Sequence, residues 1–217
     1  MHVHGLDTQR MTNHLLSSCP FNAAVTTLTI TAKIGGPLHR LDSDLLLLDV
    51  FTDTFRTGSV AFRNSRVVRM QLRSTRGLRW ISTKVFRNGT LHICGAYATD
   101  VAEFVTGKLV DALNKLYHDG GKYTHTMGDV LMANYRFTCG KRIQLRSVVD
   151  TAMREGHVTH MDPRETSAIV RLLVDVNLWG SVRCFPSGAV VISLPCCGNC
   201  RAQMGALTRA VAFVQLL

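Results

Sequence analysis

The chain has 217 residues, of which 46% are hydrophobic and 18% charged. That is the composition of a folded protein able to bury a core, at a length suited to one large domain or two of about 100 residues. No apolar run reaches the roughly 18 residues of a membrane span, and the first residues lack a basic region followed by an apolar stretch, so neither a membrane helix nor a secretory signal is expected. The net charge of +10 is unevenly spread. No acid falls between Asp53 and Asp100, while Arg56, Arg63, Arg66, Arg69, Arg73, Arg76, Arg79, Lys84 and Arg87 all do. Solvated faces usually mix both signs, so the clustering points to a polyanionic partner, most simply nucleic acid. The competing explanation is a basic surface that only keeps the protein soluble.

In chain order, residues 22–30 alternate as a strand through Val25, Leu28 and Ile30. Asp42 or Ser43 then caps an apolar helix over 45–51. Strands follow at 67–72 and 80–86, and Phe86 with Gly89 reads as a tight hairpin leading into a strand over 90–94. Val101, Val105, Leu109, Ala112 and Leu116 recur at helical spacing, with Thr99 as N-cap and Asp100 at the positive end of the helix. Residues 118–128, with Asp119, Gly120 and Gly121, form a linker. The pattern then restarts. A strand over 130–138 precedes a helix over 143–153 closed by Gly156. A strand over 169–174, another from Trp179, a hairpin at Phe185 and Gly188, and a strand over 189–193 come next. A final helix carries Cys200, Met204, Leu207, Val211 and Val214 on one face.

The restart is a duplication. A W-x5-F-x2-G frame occurs at Trp80, Phe86 and Gly89, and again at Trp179, Phe185 and Gly188. All three residue pairs are separated by the same interval, and the two Trp are the only ones in the chain. Each copy reads β-α-β-β-β-β-α, an α+β unit. The expected division is an extension over 1–20, a first repeat over 21–117, the linker over 118–128 and a second repeat over 129–217.

The cysteines are Cys19, Cys94, Cys139, Cys184, Cys196, Cys197 and Cys200. Their odd number predicts free thiols in a reducing compartment. Cys197 and Cys200 make a lone C-x-x-C. A structural zinc site usually needs a second pair; His157 and His160 could supply one, but Cys200 also fits as a core residue of the last helix. No metal or cofactor is expected. The P-loop, nucleophile-elbow, zincin and dinucleotide signatures are all missing, and the acids form no catalytic pair, so no enzyme activity and no small-molecule substrate are expected.

From about residue 21 to the end the chain resembles the TATA-box-binding protein (TBP) family. The order of elements, the repeat length, the F-x-x-G hairpin followed by an apolar strand at Ile93, Cys94, Gly95 and Ala96, and an Asn in the first strand of each repeat (Asn22, Asn134) carry the resemblance. The sequence looks like a divergent form of the kind found in large DNA viruses. The resemblance implies a saddle, a curved antiparallel sheet with helices on the convex side and the concave face laid in the DNA minor groove. In that family apolar wedges unstack base steps and kink the duplex. Phe86 and Phe185 match wedge positions, and alternation puts Lys84 and Arg183 beside them. His92 and Cys94, with Val191 and Ser193, match the same face across the hairpin. Asn22 and Asn134 match contacts to base edges, and Arg171 matches a phosphate contact. Arg66, Arg69 and Arg73 of the basic first-repeat strand join the expected DNA-binding set.

The chain also departs from the family. A second aromatic per repeat belongs where Ser65 and Glu165 stand. Lys84 and Arg183 occupy positions that are usually apolar, and Thr90 and Ala189 replace a base after the hairpin Gly. These changes predict less bending and a larger salt-sensitive phosphate component. Phe86 and Phe185 could instead be core residues, Trp80 and Trp179 could pack at a sheet edge, and the two Asn could be ordinary strand-start residues. The resemblance implies double-stranded DNA, a transcription factor B-like protein and RNA polymerase as partners. It places the protein in a nucleus or viral replication compartment. The alternatives are a scaffold with this fold, a non-specific nucleic-acid binder, or an enzyme borrowing the unit.

Overall fold

The computed structural model describes residues 24–51, 55–57, 64–74, 77–116, 122–162, 164, 166–196 and 200–217. Asn22, Glu165 and Cys197 lie outside them. The strands are β1 Ala24–Gly35, β2 Phe55–Thr57, β3 Ser65–Ser74, β4 Gly77–Phe86, β5 Thr90–Ala96, β6 Thr124–Thr138, β7 Thr159–Met161, β8 Ala168–Asp175, β9 Leu178–Cys184 and β10 Ala189–Pro195. The helices are α1 Leu41–Phe51, α2 Thr99–Lys115, α3 Leu145–Arg154 and α4 Cys200–Gln215. The element order is β-α-β-β-β-β-α twice, as the duplication predicts.

The chain divides into two compact units, Thr27–Val130 and Leu131–Leu217 with Met1–Thr26. In the first unit the strands run β2-β3-β4-β5-β1, with every described pairing antiparallel. β4 exposes and buries in alternation because its inward residues Ile81, Thr83 and Val85 are buried, and Leu91 and Ile93 of β5 extend the same layer. Onto it α2 turns Ala102, Val105, Leu109 and Leu113, and α1 turns Leu41, Leu45 and Leu48. These apolar residues recur every three to four positions, as a one-sided helix requires. Each fully buried Leu, Ile or Val stabilises the fold by about 1.5–3 kcal/mol. A buried polar lock completes the unit. The Tyr123 hydroxyl donates to the Asp44 carboxylate at 2.6 Å, and the Asn114 side chain holds both backbone groups of Tyr123, at 2.7 and 3.0 Å.

The second unit repeats the plan with order β6-β10-β9-β8-β7. Val182 and Cys184 of β9 and Val190, Ile192 and Leu194 of β10 are buried. α3 packs on β7 and β8 through Leu145, Val148 and Ala152, and α4 on β8 and β10 through Ala206, Leu207 and Ala210. Burial pushes the Cys184 thiol up to about 12, with Cys139 adding to the effect, which makes Cys184 a packing residue rather than a nucleophile.

Both hairpins need their glycines. Gly89 and Gly188 have φ of +81° and +87°, a region that L side chains rarely adopt. Each also presses on backbone, Gly89 on the Ile34 carbonyl and Gly188 on the Lys141 carbonyl, where a Cβ would collide.

Some local boundaries differ from the sequence expectation. A 3-10 turn, Leu38–Arg40, runs straight into α1, so the helix starts at Leu41. Ser43 donates its hydroxyl to the Arg40 carbonyl, and Asp42 turns to Arg66, so neither caps. The N-cap of α2 is Ala98, with the Asp100 carboxylate accepting the Val101 amide instead. The strand β6 begins at Thr124, inside the stretch expected to be linker.

Candidate nucleic-acid interface

Directly opposed residues in neighbouring strands share a sheet face. The register therefore sorts the paired strand residues into those turned to the helices and those turned away. In the first unit the outward set begins with Ser65, Val67, Arg69, Gln71 and Arg73 of β3, which oppose Phe86, Lys84, Ser82, Trp80 and Leu78 of β4. It continues through Cys94 and His92 of β5, opposite Ser82 and Lys84. It ends on β1, where Thr29, Thr31 and Lys33 oppose Cys94, His92 and Thr90. The Thr29 hydroxyl reaches the Cys94 sulfur at 3.9 Å, and the Phe86 and His92 rings meet edge-on with centroids 4.9 Å apart. Such a pairing limits both rings to a few orientations.

The outward set of the second unit is built the same way. Ile169, Arg171 and Leu173 of β8 oppose Arg183, Ser181 and Trp179 of β9. Ser181 and Arg183 in turn oppose Ser193 and Val191 of β10. Beyond these, Asn134, Arg136 and Thr138 of β6 oppose Ser193, Val191 and Ala189. Phe185 follows β9 by one residue and continues its alternation, half-buried where Cys184 is fully buried. Its backbone closes the turn through bonds with Ala189 and Gly188.

The outward sets thus gather Lys84, Phe86, His92, Cys94, Arg69 and Arg73 in the first unit, and Asn134, Arg171, Arg183, Phe185, Val191 and Ser193 in the second. Phe86 and Phe185 face away from the helices, so the core alternative does not hold. Arg66 does not belong with them. It opposes the inward residue Val85 and grips Asp42 of α1, with Nη2 at 3.0 Å and Nε closer still. That hydrogen-bonded guanidinium holds the Asp42 carboxyl below the usual carboxylate range. One step of β-strand parity separates Arg66 from the outward positions of Arg69 and Arg73.

The strands are strongly basic. Asp129 and Asp175 are the acids they contain, against Lys33, Arg56, Arg66, Arg69, Arg73, Arg79, Lys84, Arg136, Arg171 and Arg183. Among the described residues no group of three or more His, Cys, Asp or Glu is placed to hold a metal ion.

No protein-family model matches the sequence, and no curated protein does. Among solved structures, the chain is similar to the TBP of Methanococcus jannaschii, with a TM-score of 0.55 and 18% identity over 90% of this chain and 99% of that one. The fold is a TBP fold. It has little sequence in common with that neighbour, so what the two share is the arrangement of elements.

Several outward residues lay beyond the motif reading. Thr29, Thr31 and Lys33 are legible only once β1 is paired with β5, although the run of Thr at alternate positions was the available signal. Arg136 sits two residues past Asn134 and was visible by parity alone. Trp80 and Trp179 are about half exposed, at 47% and 49%.

Proposed function

We propose that this chain is a DNA-binding protein of transcription initiation that lays the outward face of its sheet on duplex DNA through the minor groove. The observation that carries the reading is the outward set itself: Arg, Lys, Asn and Thr interleaved with Phe86, Phe185 and the two Trp, on strands nearly free of acid. Phosphates would be held by Lys33, Arg69, Arg73 and Lys84 in one unit and by Arg136, Arg171 and Arg183 in the other. Asn134, flanked by Ser193, offers donors and acceptors to base edges in a groove that distinguishes A·T from G·C and little else. Phe86 and Phe185 supply the apolar contact. The action is binding and deformation, with no covalent step and no cofactor. A transcription factor B-like protein and RNA polymerase are the proposed partners, in a nucleus or viral replication compartment.

A second reading, a non-specific nucleic-acid binder or scaffold of the same fold, is favoured by one observation. The position opposite Phe86 is Ser65, buried and too small to wedge. In the other unit the residue before β8 is the buried Ser167. One measurement separates the two: binding to a TATA duplex and to a scrambled duplex across a salt series, with a bend reporter. A sequence preference with bending supports the first reading. Equal affinities, a steep salt slope and no bend support the second, and no binding leaves the scaffold.

A further inference from the structure

Trp80 and Trp179 occupy equivalent places in the duplicated frame, on the outward face of their units, at 47% and 49% exposure. Trp80 opposes Gln71, which places Arg69 and Arg73 at its two diagonal neighbours on that face. Trp179 opposes Leu173, with Arg171 diagonal to it. Each indole also has an exposed leucine nearby, Leu78 two residues along the strand from Trp80 and Leu173 directly across from Trp179. A broad aromatic ring about half exposed on the outward face, with arginines at neighbouring positions of that face, offers a platform for a flat, electron-rich ligand attached to a phosphate. Nucleobases stack on such platforms with little regard to sequence, while the cations hold the backbone. A base inside an intact duplex has both faces covered by its neighbours and cannot use the ring.

We propose that Trp80 and Trp179 are base-stacking residues, each taking a nucleobase that has left its duplex stack. The protein would then bind DNA containing unpaired bases in preference to fully paired DNA. This rests on the DNA-binding reading above and adds a ligand preference to it. Charge complementarity selects the occupant: apolar protein partners have no use for arginines on both diagonals of Trp80, and the strands supply almost no acid to neutralise them.

The test uses the full chain, whose two Trp are its only indole fluorophores. Three labelled probes are titrated: an intact duplex, the same duplex with a short internal mismatch bubble, and one of its single strands. Label anisotropy reports binding, and indole emission reports stacking. The expected result is about tenfold tighter binding per engaged indole for the bubble and the single strand than for the intact duplex, with strong quenching of the indole emission. Trp80→Leu with Trp179→Leu should bring the affinity for the bubble down to that of the wild type for the intact duplex. Trp80→Phe with Trp179→Phe, which keeps a stacking ring, should preserve most of the preference. Equal affinity for all three probes, or binding with unquenched indoles, would overturn the stacking proposal and leave the DNA-binding reading standing. Failure to bind any probe would overturn both. If the Leu variants do not fold, the fluorescence of the wild-type protein still decides.

Discussion

The two units carry one framework and two different outward faces. Inward, they agree: Ile81, Thr83 and Val85 of β4 answer to Gly180, Val182 and Cys184 of β9, all buried, and both hairpins close on a glycine pressed against backbone. Outward, they part. The first unit presents Lys33, Arg69, Arg73 and Lys84, with Thr29, Thr31 and a His92 ring against Phe86. The second has Arg136, Arg171 and Arg183 among Ile169, Leu173, Val191 and Ala189, and a bare Val191 stands where His92 stands in the first. Packing fixes the inward residues, because a lost methylene there leaves a cavity. Most of the outward residues are only partly buried, so packing constrains them less. On the proposed DNA-binding reading, the first face would suit phosphate and the second apolar and base-edge contact.

The largest effect should come from removing that charge difference. Replacing Lys33, Arg69, Arg73 and Lys84 together by Ala should lower the slope of log affinity against log salt by about 3 to 4, since each phosphate contact contributes roughly 0.9. Replacing Arg136, Arg171 and Arg183 should lower it by about 2 to 3. Binding isotherms over a salt series check both, and equal losses from the two sets would break the comparison.

The wedges come next. Phe185→Ala should reduce the bend and weaken binding by roughly tenfold, the value of a good apolar contact at a base step. Phe86→Ala should cost less, because His92 remains to cover part of the site. A bend reporter with thermal melts read in parallel would test this. A variant that unfolds instead of binding straight DNA would show that Phe86 contributes to stability, through its contact with His92, more than to the bend.

Much of this was legible from residue order. The duplication, the α+β class, both hairpins and the amphipathic helices follow from periodicity and glycine placement, because local chemistry sets them. The outward placement of Phe86 and Phe185 was readable from parity with Lys84 and Arg183, which no core would accept. The identity of the outward set was less so. Arg66 looked equivalent to Arg69 and Arg73, and only the β3–β4 register assigns it to the opposite face. Thr29, Thr31 and Lys33 depend on pairing β1 with β5, a contact between residues far apart in the chain. Helix starts were missed for a similar reason: Asp42 gave its carboxylate to a distant Arg66 rather than to the local backbone amides.

A third difference concerns stability. The first unit contains the buried contact of Tyr123 with Asp44, with the Pro37 carbonyl 3.2 Å from the same hydroxyl. Tyr123→Phe removes the donor and leaves a 1%-exposed carboxylate with one hydrogen bond fewer. The expected cost is about 1–3 kcal/mol, a drop of several degrees in Tm by calorimetry, with the outward face unchanged. If the units melt separately, only the transition of the first should move.

The smallest effect sharpens the comparison within a single strand. Arg66 and Arg69 both belong to β3 but face opposite ways. Arg69→Ala should reduce the salt slope of DNA binding by about 0.9, whereas Arg66→Ala should leave it unchanged. What Arg66→Ala should change is stability, and only slightly, because the Asp42 side chain is 40% exposed and water screens the pair. The pH dependence identifies the contact. Arg66 lowers the carboxyl of Asp42 in the folded state, so the pair's contribution is fully present above the unfolded pKa of an Asp, about 3.9, and is lost as pH falls through the lower folded value. Unfolding free energies of the wild type and Asp42→Asn from denaturant titrations should therefore differ by well under about 1 kcal/mol at neutral pH and converge as the solution is acidified below about pH 4. A gap that widens on acidification would mean that the Arg66 contact does not lower the Asp42 carboxyl.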